Sequence, residues 1–256
     1  MTASNHGTPL RAVLFDTFGT VVDWRTGMIQ AITAWGAAQH LTADWPALVD
    51  EWRTCEDPGK RAVREGQTPW RNLEQIHRDA MPPLLARHGL QQLSAAQQDW
   101  LLDAWSLGQP WPDTLAGLER IKRRWPIASL SNGSMSQMVR LARHARLPWS
   151  CIFSAELFKA YKPAPEVYLG ACSYLGYAPQ EVLLCAAHNY DLRAAAALGM
   201  ATAFIPRTTE FGPSQVKDFG PEGEWTFVAA DLVDLADQLD GTVVRTGDTQ
   251  RSGVAA

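Results

Sequence analysis

The chain has 256 residues, 46% of them hydrophobic and 20% charged, with a formal net charge of -4. That balance describes an ordinary globular protein of one large or two smaller domains, and without a run of about five Lys or Arg it carries no electrostatic footprint for nucleic acid. No stretch approaches roughly 18 uninterrupted apolar residues, so no membrane span is expected, and the polar start MTASNHGTPL has no apolar signal core.

The apolar run Ala12–Phe15 stops at Asp16 and is followed by Thr17, Phe18, Gly19 and Thr20, which predicts a buried strand ending at a turn. From 26 to about 107 the apolar residues recur at helical spacing, as in Met28, Ile29, Ile32 and Trp35, and again in Trp100, Leu101, Ala104 and Trp105. No strong strand interrupts them, so residues 23–109 read as an all-helical insert, or cap. From Trp111 onward strands and helices alternate. Asp113 or Thr114 is placed to cap a helix to about Arg124. A strand at 127–130 ends at Ser131, Asn132, Gly133 and Ser134, and a helix follows to about Arg146. Strands are then expected near Cys151–Ser154, at Val182–Ala186 and at 201–205, with helices near Pro165–Leu175 and 191–198. Such alternation predicts an α/β fold: a doubly wound parallel sheet built from residues 1–22 and 110–240, with helices on both faces. The polar, small residues 241–256 are expected to form a disordered tail.

The four cysteines, Cys55, Cys151, Cys172 and Cys185, form no C-x-x-C pair. They suggest neither a zinc site nor a disulfide framework, and a reduced, cytoplasmic setting fits them best. The eleven tryptophans are read as filling the core or the cap–core interface, with no chemical role.

In open parallel sheets ligands bind beyond the carboxyl ends of the strands. Those ends offer Asp16, Thr17 and Thr20; Ser131 and Asn132; Tyr161 and Lys162 in the loop before the helix at 165; and His188, Asn189 and Asp191. A carboxylate in such a crevice is able to attack carbon or phosphorus and form an ester. A neighbouring lysine keeps it ionised, and hydroxyls and amides orient a substrate or leaving group. Each residue also has a plain structural reading. Asp16 and Asp191 are candidate caps, Ser131–Asn132 is a candidate turn, Lys162 a solvated side chain and His188 a satisfied polar group. What favours chemistry is that all of them fall at strand ends, in consistent order.

The segments FDTFGTVVDW (15–24), LSNGS (130–134), YKPAPEVY (161–168) and AAHNYDLRAA (186–195) resemble, in order and spacing, the four motifs of the haloacid dehalogenase superfamily. The combination is similar to its type II 2-haloacid dehalogenase branch, over roughly residues 10–239. The resemblance implies a Rossmann-like core with an inserted cap, an Asp16 nucleophile, an ester intermediate and a small anionic 2-haloacid as substrate. It also implies a preference for the L substrate with inversion, and a homodimer, for which no interface is legible. Phosphatases of the superfamily carry a proton-donating aspartate where this chain has Phe18, and a magnesium-binding carboxylate where it has Ala187. Magnesium wants near-octahedral oxygen ligands, so no metal and no cofactor is expected. A halide leaves as a stable anion and needs no proton, so neither loss handicaps dehalogenation.

The resemblance further implies that Lys162 holds Asp16 ionised and that Thr20 hydrogen-bonds near it. Ser131 and the backbone after Asp16, at Thr17, would bind the substrate carboxylate, and Phe18 would wall the pocket. Asp191 would position Lys162 or the hydrolytic water, with Tyr168 adding a hydrogen bond and Asn189 beside it. Family members meet the halide with a cap arginine that tends to follow a tryptophan, which Trp52–Arg53 matches. Asn132 would be a second halide contact, with Arg61 and Arg64 as rivals to Arg53. The best-known members have serine and asparagine where this chain has Ala186 and His188. His188 is therefore either a general base for water or only a hydrogen-bond partner of Asp191 or backbone. Competing readings are a metal-dependent phosphatase of the same fold, a non-catalytic binding protein, and the same chemistry on fluoroacetate.

Overall fold

The computed structural model describes residues 9–251, with side chains described as far as 241. Strand β1 (Ala12–Phe15) is buried along its whole length, as a strand covered by helices on both faces must be. A short strand β2 (Val22–Asp23) then leads into the helices α1 (Trp24–Ala38), α2 (Trp45–Thr54), α3 (Glu56–Arg64), α4 (Leu73–Arg87) and α5 (Ala95–Asp103). A 3-10 turn (Ala104–Ser106) precedes β3 (Gln109–Pro110), which pairs antiparallel with β2. The helical insert thus leaves and re-enters through a two-stranded neck, an element that the sequence pattern did not reveal.

The rest of the chain supplies α6 (Thr114–Lys122), β4 (Ile127–Ser131), α7 (Met135–His144), β5 (Cys151–Ser154), the single turn α8 (Ala155–Phe158) and α9 (Pro165–Leu175). Then come β6 (Val182–Ala186), α10 (Asn189–Ala197), β7 (Ala201–Phe204), β8 (Phe227–Val228) and α11 (Leu232–Arg251). The main sheet has the order β5-β4-β1-β6-β7-β8, and every pairing in it is parallel. The chain winds outward from β1 to β4 and β5, then returns to β6 on the other side. β1 is therefore the switch point, and the crevice beyond its carboxyl end is where such folds bind ligands.

Asp113 sits at the N-cap position of α6 without capping it. Its carboxylate instead takes both guanidinium nitrogens of Arg207 at 2.7 Å and the backbone N–H of Leu232. β8 and α11 went unread in the sequence. The backbone of α11 runs into the segment for which no fixed structure was expected, and residues 252–256 of that segment lie outside the described residues. Among the described residues no helix is long and apolar enough to cross a membrane.

The insert is braced within itself by aromatic stacking, and its carboxylate Glu74 ties it to the core. Trp105 stacks on Trp24 with centroids 5.7 Å apart, takes the edge of Trp52 at 5.6 Å and stacks on His77 at 4.2 Å. Glu74 of α4 accepts from Ser134 and Ser136 at 2.7 and 2.6 Å and from Arg140 at 3.0 Å, all at or in α7. Ser134 meanwhile caps α7 by accepting from Gln137 N–H.

Candidate active site

Asp16 is the first residue after β1 and is 7% exposed. Its backbone N–H donates to Cys185 O on β6 at 3.0 Å, the last bond before the two strands part. The chain turns at Gly19, which has φ +87° and where a Cβ would lie 2.2 Å from the Glu210 carboxylate. Only glycine fits both demands. Thr20 then faces back, donating from Oγ1 to Asp16 Oδ2 at 2.7 Å and accepting from Ala187 N–H at 2.8 Å.

Two cations grip the Asp16 carboxylate. Lys162 Nζ lies 2.9 Å from Oδ1 and 2.5 Å from Asp191 Oδ2. His188 Nδ1 lies 3.0 Å from Oδ2. Burial alone would raise the Asp16 pKa, but Lys162 and His188 outweigh it and hold the carboxyl well below its ordinary range. Burial likewise works against Lys162, and Asp16 and Asp191 more than reverse it. Asp191, at the start of α10, is fully buried, and Tyr168 OH donates to its other oxygen at 2.5 Å.

The second ring nitrogen of His188 faces Glu210 Oε2 at 2.9 Å. A ring between two carboxylates satisfies both only by donating from both nitrogens, as imidazolium. Desolvation opposes that charge, but Glu210 and Asp16 push the pKa up to about 10. The His188 side chain bonds neither Asp191 nor backbone, contrary to one expectation, and at rest it carries the proton that a general base must lack. Glu210, 1% exposed, also accepts from Trp24 Nε1 at 3.0 Å. It follows the end of β7, on a loop clamped by Arg207, whose Nε donates to Thr20 O at 3.0 Å. Sequence reasoning missed it because the survey of strand ends stopped before β7; the same rule, carried one strand further, reaches it.

Above Asp16 lies a partly open cavity of about 40 Å³, room for about three waters. Of the expected substrate contacts, Phe18, Arg53, Ser131 and Asn132 line it, as does His188. Three expected contacts lie elsewhere. Thr17 is buried with a hydroxyl that has no hydrogen-bond partner among the described residues. Tyr168 sits behind Asp191. Asn189 spends its amide on Asp218, Gly220 O, Glu222 N–H and Trp225, bracing the loop after β8's neighbour strand β7. Asn132 also accepts from the Lys162 N–H at 2.9 Å, fixing the loop that carries the lysine. Arg61 and Arg64 are exposed and off the cavity. The insert adds Trp24, Glu56, Lys60 and Trp105 to the wall, and α10 adds Tyr190. None of these was singled out in the sequence, because helical spacing marks an apolar face without saying what it faces.

The donor set does not fit a magnesium ion. The Lys162 ammonium bridges Asp16 and Asp191, where the superfamily's metal would need those carboxylates, and position 187 presents a methyl group. What the arrangement suits is attack by a permanently ionised carboxylate on a small substrate.

A family model described as haloacid dehalogenase-like hydrolase matches residues 10–199. The (S)-2-haloacid dehalogenase 4A of Burkholderia cepacia is 28% identical over 238 residues, covering 89% of this chain and 98% of its own. The crystal structure of an L-2-haloacid dehalogenase superposes with a TM-score of 0.88 at 47% identity, covering 91% of this chain and 99% of that one. A second, of a defluorinating L-2-haloacid dehalogenase, gives 0.89 at 41% identity, covering 94% and 99%. Since that model spans most of the chain and near-full-length relatives share its architecture, the chain belongs to the haloacid dehalogenase-like hydrolases.

Proposed function

We propose that the protein is a metal-independent hydrolytic dehalogenase of small 2-haloacids, with Asp16 as nucleophile and residues 23–109 acting as the cap. The observation that carries this reading is a buried carboxylate held ionised by Lys162 and His188, at the floor of a small cavity whose cap-side wall holds Arg53. Asp16 attacks the carbon bearing the halogen. The C–O bond forms as the C–halogen bond breaks, and the halide leaves with the bonding pair toward Arg53 and Asn132. Ser131 and the backbone that follows Asp16 receive the substrate carboxylate, while the Phe18 ring walls the pocket. No proton moves in this step, in keeping with a phenylalanine at position 18.

Water then adds to the Asp16 carbonyl carbon. Esterification removes the negative charge that helps keep His188 protonated, so the imidazolium releases its Nδ1 proton to solvent. The neutral ring, still oriented by Glu210, takes a proton from the attacking water and returns it to the departing alkoxide. The 2-hydroxy acid leaves, and the regenerated Asp16 carboxyl gives its proton back to His188. The net release is one halide and one proton. Asp191 and Tyr168 hold Lys162 in place throughout.

The test is halide release from chloroacetate, fluoroacetate and L-2-chloropropionate with EDTA present. Fluoroacetate is included because a relative 41% identical is described as defluorinating. Release that survives EDTA and is lost in Asp16→Asn is the expected result. Release that requires added magnesium, or that persists in Asp16→Asn, would overturn the reading.

A further inference from the structure

Glu56 is a carboxylate 4% exposed on the cap side of the cavity, and neither step above uses it. Its Oε2 is ion-paired with Arg53 Nη1 and lies 3.4 Å from Lys60 Nζ. Its Oε1 lies 3.1 Å from His77 Nε2. Among the described residues His77 Nδ1 has no hydrogen-bond partner, and burial lowers the ring's pKa. The ring is therefore neutral, with its one proton on Nε2 donated to Glu56. Stacked on Trp105, His77 cannot swing away. Arg53 is held on its other side by the Trp24 ring, 5.4 Å from the guanidinium carbon. The guanidinium is thus fixed between an aromatic face and a fixed anion before any ligand arrives.

We propose that Glu56 is a positioning residue that aims Arg53 at the leaving halide and, as a standing anion on the same cation, sets how tightly the departed halide is retained. The inference rests on the dehalogenase reading. A halide must be stabilised as it leaves and then be let go, and a surplus of cations in a water-poor cavity would keep it. Glu56 is the anion already lying on Arg53 and beside Lys60 when the halide departs. Replacing it by a neutral residue makes the charge next to the halide more positive by one, whichever protonation state His188 holds.

The measurement is inhibition of L-2-chloropropionate turnover by added bromide and chloride, at fixed pH, in wild type, Glu56→Gln and Glu56→Asp. In Glu56→Gln the halide inhibition constants are expected to fall on the order of tenfold, with Glu56→Asp returning them toward wild type. An unchanged constant, with only kcat or melting temperature lowered, would mark Glu56 as merely structural and overturn the inference. Should Glu56→Gln fail to fold, Lys60→Met serves instead: with one competing cation gone, Glu56 bears fully on Arg53 and halide inhibition is expected to weaken by a similar factor. No change there overturns it equally. Bromide binding to each variant by calorimetry needs no turnover. A wild type that binds bromide more weakly than Glu56→Gln yet releases no halide from any haloacid therefore sinks the dehalogenase reading alone, while equal bromide binding sinks the role of Glu56.

Discussion

The two walls of the cavity hold their charges differently. On the core side, Asp16, Lys162, Asp191 and His188 come from the segments that follow β1, β5 and β6, Asp191 from the first turn of α10, and are locked to one another by bonds of 2.5–3.0 Å. On the cap side, Arg53, Glu56 and Lys60 lie within eight positions of each other on α2 and α3, and their aim depends on how those helices dock. The core wall is set by sheet register, which parallel hydrogen bonding fixes to one residue. The cap wall is set by packing of large rings, Trp24 on Trp105 and Trp105 on His77. In the proposed reaction the sheet side therefore supplies the reacting groups, and the insert supplies the facing wall and the halide's counter-charge.

The comparison breaks hardest at Asp16. Asp16→Asn should lower steady-state halide release by on the order of 10⁴-fold or more, since no other group on either wall replaces a nucleophile. His188→Asn should separate the two steps: a burst of about one halide per active site, then turnover slowed roughly 10²–10⁴-fold, read by rapid quench. A loss of the burst itself would mean that His188 serves the displacement and not the hydrolysis. On the opposite wall, Arg53→Ala should slow the displacement about 10²-fold with no accumulation of ester; a phenotype like that of His188→Asn would blur the division between walls.

Stability sharpens the same contrast. His188 has its pKa raised to about 10 from 6.5. Its contribution is therefore fully present below about pH 6.5 and is lost as pH rises through about 10. The stability gap between wild type and His188→Asn should be widest at pH 6 and should close toward pH 10 in denaturant titrations. A gap that widens with pH would contradict the two-carboxylate setting. The smallest effect belongs to the tie between the walls. Glu74→Gln should cost about 1 kcal/mol, because Glu74 is only partly buried and its bonds to Ser134, Ser136 and Arg140 weaken without vanishing.

The core was legible from residue pattern because each buried strand is a short unbroken apolar run that stops at polar residues. Ala12–Phe15 before Asp16 and Val182–Ala186 before His188 read this way without any knowledge of their neighbours. Two-residue strands such as β2 and β8 carry no such signal, since pairing alone defines them. Asn189 read as a ligand because of its place at a strand end, but tertiary packing turned its amide toward Asp218 and Trp225. Glu210 lies 186 residues from Trp24 and 22 from His188, and only folding makes the three neighbours.

By itself, then, the sequence determined the alternation of strands and helices, the helical insert, and the grouping of Asp16 with Lys162 and Asp191, because those follow from local hydrophobic period and from motif spacing along strand ends. The tertiary structure decided the setting of His188 between two carboxylates, the place of Glu210 beside it, and that Arg53, not Arg61 or Arg64, lines the cavity. The first two depend on side chains brought within about 3 Å of His188 by distant parts of the chain, and at that range inside a protein electrostatic energy outweighs local preference; the last depends on how α2 and α3 dock over the sheet.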